Sequence, residues 1–342
     1  MRAPIATALL ATLLATLLAA CASAPEVKTP PRAVAPKQAP VKVGIALGGG
    51  AAKGFAHIGV IKMLEANGIK PVVVSGTSAG SVVGALYASG MDAYAMQEKA
   101  FALDESRIRD VSLFSGGVVK GQKLQDYVNE LVGGRSLDRM RKPFAVVATN
   151  LANGERTVFV RGNTGQAVRA SSSIPGVFEA VAIGKAHYVD GGVVSPVPVD
   201  AARELGADFV IAVDISSKAD GIASTTSMLG NLNQSIRIMG QKLGAQELAR
   251  ADIVIRPKVN DIGPADFAAK NRAILEGERA AQAALPQIRA KIAALQAARI
   301  AKARQAADAD AARQREAERK ARCAKQQGWM DTLTRDPDCR QG

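Results

Sequence analysis

The stretch that most restricts how this chain can fold is Gly76-Thr77-Ser78-Ala79-Gly80. It follows an apolar run, Pro71 to Ser75, and precedes a run of small residues, Ser81 to Ser89. A buried strand must pass almost directly into a helix here. A serine at the centre of so sharp a turn is pushed out of the common backbone regions, with its hydroxyl exposed. Side chains in place of the flanking glycines would collide with the neighbouring strand or helix. The helix start also directs partial positive charge at the serine. Ser78 is therefore the candidate nucleophile, with Gly76, Thr77, Ala79 and Gly80 forming its elbow.

A second strand–glycine–helix junction precedes it. Val41 to Leu47 is a short apolar run, followed by Gly48-Gly49-Gly50-Ala51-Ala52-Lys53-Gly54. From Gly54 to Asn67 the pattern is helical, with Ile58, Ile61, Leu64 and Ala66 near one face. Bare backbone amides in such a loop cradle an anion. A P-loop is excluded because Gly54-Phe55, not Ser or Thr, follows Lys53. The glycine spacing also misses the dinucleotide fingerprint. In an acyl-hydrolase that anion is the oxyanion of the tetrahedral intermediate, and a dinucleotide site is the alternative reading. Gly48, Gly49, Gly50, Lys53 and Gly54 are the candidate residues, with the amides around Gly49 and Gly50 as donors.

Strand, helix, strand, helix is the pattern of a mostly parallel sheet covered on both faces, an α/β class. Further strands are expected at Phe144 to Thr149, Thr157 to Val160, Phe209 to Asp214 and Ile253 to Arg256. Met91 to Asp110 and Lys120 to Val132 read as helical. Residues 218–235, rich in Ser, Thr, Asn and Gly, read as a mobile loop.

A third signal is Asp190-Gly191-Gly192, directly after His187-Tyr188-Val189. An aspartate at a strand end, with Gly191 and Gly192 behind it, can approach an elbow closely. The chain has two histidines. His57 lies in the apolar pattern of the first helix and reads as a packed, hydrogen-bonded side chain. His187 is three residues before Asp190 on one strand, so the two point to opposite faces. A Ser78–Asp190 dyad is preferred to a Ser–His–Asp triad built on His187. Its carboxylate would act directly as base, with a pKa raised from about 3.9 by a water-poor cleft.

The ends carry other information. Arg2 and the apolar run Ile5 to Ala20 form a signal-peptide pattern too short for a comfortable membrane span. It closes on Leu18-Ala19-Ala20-Cys21, a lipobox-like sequence in which Cys21 would be acylated. Five prolines between residues 21 and 40 make a semi-rigid tether. An exported, lipid-anchored protein is expected, in the cell envelope, at an outer membrane facing the periplasm. In that oxidising setting Cys323 and Cys339 are expected to pair. Residues 270–325 hold fourteen Lys and Arg against six Asp and Glu, +8 of the chain's net +13. This Ala-rich stretch reads as a long helix in which Pro286 is a start or a kink. It is a solvated face or a surface drawn to anionic head groups. Nucleic acid is a poor partner for such a protein, and aromatics, at 4%, are scarce. No metal-ligand spacing is present and no cofactor is called for.

Taken together, four blocks resemble the patatin-like phospholipases in bacterial lipoprotein form. They are Gly48 to Gly54, Gly76 to Gly80, Ala170-Ser171-Ser172-Ser173-Ile174-Pro175-Gly176-Val177-Phe178, and Asp190-Gly191-Gly192. Asn150 and Pro198 also stand where related chains often carry those residues. The resemblance covers about residues 42–215. It implies a three-layer α/β/α patatin-like fold with a mostly parallel central sheet, plus a C-terminal helical extension. It further implies a calcium-independent Ser–Asp dyad cleaving acyl esters of phospholipids or other lipids. The chain departs from the family at Ala51, where a fourth glycine is common, and at Lys53, where arginine is usual. The expected organisation is a leader at 1–20, a tether at 21–40, a catalytic domain at 41–268 and a basic extension at 269–342. The alternative is an envelope lipoprotein that binds lipid or a partner without turnover.

Overall fold

The structure, a computed structural model, describes residues 39–108, 110, 119–216, 228–325 and 339. The leader, Cys21 and most of the tether lie outside the described residues. Residues 39–298 form one compact unit, and residues 299–342 belong to a second.

The sheet is built on β1 (Val43–Leu47), β2 (Val73–Thr77), β3 (Phe144–Asn150), β7 (Phe209–Val213) and β8 (Ile253–Ile255). These run parallel in the order β3-β2-β1-β7-β8. Near-continuous apolar sequence suits such strands, because both faces are covered. On β1, Val43, Ile45 and Leu47 enter one core while Ala46 enters another. On β7, Phe209, Ile211 and Val213 face the first core, and Val210 and Ala212 the second. Alternation at period two thus feeds two separate hydrophobic layers.

The first layer contains α1 (Phe55–Ala66), α2 (Ala79–Ala88), α3 (Ala93–Phe101), α4 (Gln122–Leu131) and part of α5 (Thr164–Ser171). The second contains α6 (Val199–Glu204) and the end of α7 (Met228–Leu248). The fold is therefore a three-layer α/β/α sandwich.

Beyond β3 the sheet turns antiparallel through β4 (Arg156–Phe159), β5 (Val181–Ile183) and β6 (Ala186–Asp190). The register fixes an unusual junction. Val147 pairs with Thr77 and with Val158, and Ala148 pairs with Thr157 and with Asp190. Since β4 occupies one edge of β3, β2 and β6 share the other. They run towards each other and meet end to end, Thr77 opposite Val147 and Asp190 opposite Ala148.

Three expectations are corrected. Residues 228–235 are not loop, because α7 begins at Met228; the rest of 218–235 lies outside the described residues. Of the two readings of Pro286, a start or a kink, the start is ruled out, because α8 runs through it, from Lys270 to Lys325. The compact unit also extends past residue 268. Ala273, Ile274, Gly277, Ala281, Leu285 and Ile288 of α8 are buried in it. Gly277 approaches so closely that a Cβ there would lie 2.0 Å from Ala56 O on α1. In the second unit, residues 299–325 are a largely exposed helix bearing the ion pairs Arg319–Glu316 and Arg313–Asp310. Cys323 and Cys339 are joined by a disulfide. Among the described residues, no helix is long and apolar enough to cross a membrane.

Candidate active site

Ser78 stands between β2 and α2 with φ +53° and ψ −125°. A non-glycine residue in the left-handed half of backbone space stores roughly 1–3 kcal/mol of strain, which neighbours must offset. Here they do so by contact. A Cβ on Gly80 would fall 2.1 Å from Leu47 O, and one on Gly76 would fall 2.4 Å from Gly80 O. Only glycine lets the elbow seat so tightly against β1. The amide of Ser78 donates to Ser171 Oγ at 2.9 Å, and Ser171 Oγ donates in turn to Val147 O at 2.6 Å.

Ser78 Oγ donates to Asp190 Oδ2 at 2.6 Å. Both residues are buried. Asp190 Oδ1 accepts the Gly192 amide at 2.7 Å, which aims the carboxylate. The Asp190 amide donates to Ser173 O, and Thr149 Oγ1 donates to Asp190 O. Gly191 lies against Val147 O, where a Cβ would stand at 2.2 Å. Burial pushes the Asp190 carboxyl up to about 6, against the pull of the hydrogen bonds from Ser78 and Gly192. The group is poised to exchange a proton near neutrality.

The glycine loop differs in detail from the sequence-based expectation. Gly48 donates its amide to Val213 O, Gly49 to Pro196 O, and Lys53 to Gly50 O. Those three amides are engaged within the fold and are not free donors for an oxyanion. Gly50 and Ala51 have no acceptor for their amides among the described residues, and neither has Ala79 at the start of α2. Ala51 adopts φ +52°. It therefore occupies a glycine-like conformation at the position where the chain departs from the family pattern. Gly54 packs against Ala79, where a Cβ would sit 2.7 Å from the Ala79 Cβ. Loop and elbow are thereby in contact.

The Lys53 side chain is buried, and its pKa is lowered, first by burial and then by the charge of Arg237; Asp261 and Asp214 oppose the shift. His57 is fully buried, and its Nε2–H donates to Gly48 O at 2.8 Å. Burial lowers its pKa to about 4, so it is neutral, with Nδ1 a bare buried acceptor. It braces the glycine loop from behind. His187 is exposed, whereas Asp190 on the same strand is buried. It takes no part in the Ser78–Asp190 contact.

Two residues outside the sequence-based candidates also shape the site. Ser171 lies within the Ala170 to Phe178 block but was not distinguished there from its neighbours. Glu247 sits on α7 beside Leu248 at a position that faces the core; a carboxylate there was the signal. Among the described residues no group of three or more His, Cys, Asp or Glu could hold a metal ion. A cavity of about 290 Å³, lined by Asp214, Arg256, Lys258 and Asp261 among others, opens at the ends of β7 and β8. It contains neither Ser78 nor Asp190.

A family model described as patatin-like phospholipase matches residues 45–203. An uncharacterized NTE family protein of Mycobacterium tuberculosis is 35% identical over 184 residues, 53% of this chain and 51% of that protein. Lysophospholipase NTE1 of Pyricularia oryzae is 31% identical over 186 residues, 53% of this chain and 12% of that protein. The solved structure of VipD from Legionella pneumophila is 16% identical, with a TM-score of 0.49, and covers 73% of this chain and 67% of that one. The match thus spans about half the length of the mycobacterial relative and a small part of the fungal one.

Proposed function

We propose that this chain, whose residues 45–203 match a patatin-like phospholipase model, is a serine acyl-hydrolase of lipid esters, with Ser78 as nucleophile and Asp190 as its base. The observation that carries the reading is the 2.6 Å hydrogen bond from Ser78 Oγ to Asp190 Oδ2, between two buried groups, with no histidine interposed. A buried carboxylate near pKa 6 is a competent base at neutral pH, whereas an ordinary surface aspartate is a weak one.

In this mechanism Asp190 takes the Ser78 proton as Oγ attacks the acyl carbonyl. The carbonyl electrons move onto oxygen. The unengaged amides of Gly50, Ala51 and Ala79 receive that charge, in the manner of an oxyanion hole. The tetrahedral intermediate collapses with cleavage of the acyl C–O bond, and Asp190 returns its proton to the departing alcohol or lysolipid. Water, deprotonated by Asp190, then attacks the acyl-serine. The fatty acid leaves and the proton returns to Ser78.

The test is hydrolysis of a short p-nitrophenyl ester and of mixed phospholipid vesicles, with chelator present, by protein starting at Ala22. Ser78→Ala and Asp190→Asn are each expected to lose at least about 10³-fold, as removal of a member of a catalytic triad does. Full activity in either folded variant would sink the assignment.

The same reading places the protein at the cell envelope, anchored through acylated Cys21 on its proline-rich tether. Each buried methylene contributes roughly 0.8 kcal/mol, so several acyl chains hold firmly. Fatty-acid labelling that persists in Cys21→Ala would refute the anchor. Residues 299–325 add a basic surface for anionic lipid. Truncation after Ala298, which spares the compact unit, is expected to weaken vesicle binding and leave ester hydrolysis intact.

A further inference from the structure

We propose that Glu247 is a positioning residue for this reaction, clamping the Ser195-Pro196-Val197 segment that locks the nucleophile elbow and the glycine loop together. The inference rests on the hydrolase reading and extends it to a residue remote in sequence from every motif.

Glu247 is buried near the end of α7. One carboxylate oxygen accepts the Ser195 hydroxyl, and the other accepts the Val197 amide at 2.8 Å. Among the described residues it has no salt-bridge partner. The residues it grips face the site with their backbone. Ser195 O accepts Thr77 Oγ1 at 2.8 Å, one residue before the nucleophile. Pro196 O accepts the Gly49 amide at 3.0 Å. Pro198 O accepts Ser75 Oγ at 2.7 Å. One side chain on a helix of the second layer therefore holds Ser195 and Val197, and the backbone of residues 195–198 reaches both the elbow strand and the glycine loop.

A buried carboxylate with no salt bridge among the described residues, Arg250 acting on it only through its charge, is an expensive occupant for a position that leucine or methionine could fill. Its two acceptors suit two donors of this turn, the Ser195 hydroxyl and the Val197 amide. Burial and these hydrogen bonds act in opposite directions on its protonation, burial prevailing, which raises its pKa to about 7. Both protonation states can hold the clamp, because a protonated oxygen can donate to Ser195 Oγ while the other still accepts from Val197. Glutamine can form the same two bonds.

The experiment compares wild type, Glu247→Ala, Glu247→Gln and Leu248→Ala, a neighbouring core truncation, all starting at Ala22. The readouts are kcat and KM on a p-nitrophenyl ester, the rate of Ser78 modification by a fluorophosphonate, and Tm. Displacing catalytic groups by about 1 Å costs on the order of 10²-fold. Glu247→Ala is therefore expected to lose about that much kcat, with KM changed less than about threefold, because ground-state binding is untouched. Glu247→Gln should recover most of the loss, and Leu248→Ala should lower Tm without the kcat effect. Wild-type kcat in Glu247→Ala, or a loss no larger than in Leu248→Ala, overturns the proposal. If Glu247→Ala does not fold, Thr77→Val severs the Ser195 link alone and must show the same kcat-selective loss; unchanged kcat there also overturns it. A wild type inert to both ester and fluorophosphonate would instead bring down the hydrolase reading, and this inference with it.

Discussion

Ser171 holds Ser78 by its backbone: the hydroxyl of Ser171 accepts a hydrogen bond from the Ser78 amide at 2.9 Å and donates one to Val147 O at 2.6 Å. Three elements, β3, α5 and the elbow, are thereby tied at one oxygen. The strained φ of Ser78 is held from outside the turn as well as by it. Ser171→Ala strands a buried donor, at a cost of about 1–3 kcal/mol. It is expected to lower both Tm and kcat, in paired thermal and kinetic measurements; an unchanged kcat would show that the elbow needs no such tether.

Asp190 gives the reaction a pH signature. In the proposed mechanism its carboxylate is the active form, and burial raises its pKa to about 6. Log kcat/KM should rise with pH up to about 6 and level off above it. A profile flat from pH 5 to 8 would count against Asp190 as base.

The same shift makes Asp190 a cost to stability. Its unfolded pKa is near 3.8 and its folded pKa about 6, so between those values the unfolded state sheds a proton that the folded state keeps. Stability falls as pH rises through that window and then stays lower. Asp190→Asn removes the penalty. It should be more stable than wild type by about 1–3 kcal/mol at pH 8 and similar at pH 4, in denaturant melts at the two values.

Ala51 carries the conformation of a glycine, at φ +52°. Ala51→Gly relieves about 1–2 kcal/mol of strain and returns part of that as unfolded-chain entropy. The variant should be slightly more stable, by up to about 1 kcal/mol, with its amide retained and hydrolysis preserved. A clear destabilisation would mean that the Ala51 methyl has packing value.

Gly80→Ala should behave in the opposite way. The new Cβ would stand 2.1 Å from Leu47 O, a backbone atom that cannot yield without moving β1. Loss of activity together with a lower Tm is expected. His187→Ala, by contrast, alters an exposed side chain and should leave both within experimental error.

Much of this was legible in the sequence because the signals were local. The apolar runs at β1 and β2 end on glycine and that at β7 on aspartate, and both glycine-rich turns stand between a strand and a helix. The bounds of the long basic helix also follow from composition. What escaped depends on contacts distant in sequence. Residues 228–235 have loop composition, yet α7 begins at Met228, and farther along it Gly240 and Gly244 lie near Gly192 and Pro196. Tertiary packing overrides propensity there. The engagement of Gly48 and Gly49 was equally hidden, since their acceptors, Val213 and Pro196, lie far along the chain. Glu247 could be suspected only as a charge on a core-facing position, and nothing nearby in sequence names its partners.

The end-to-end meeting of β2 and β6 on one edge of β3 has a consequence for how this protein fails. Ser78 and Asp190 share no local scaffold; they are two riders on a common rail, spaced by the register that sets Thr77 opposite Val147 and Asp190 opposite Ala148. A slip of β6 by a single residue would carry the carboxylate about 3.3 Å along that rail and turn it to the opposite face. Such a molecule would keep its helices, its sheet and most of its core, and would pass as native by circular dichroism. It would be silent towards a serine-directed probe. Active-site titration of this chain thus counts correctly registered sheets, a quantity that no bulk spectroscopic signal resolves.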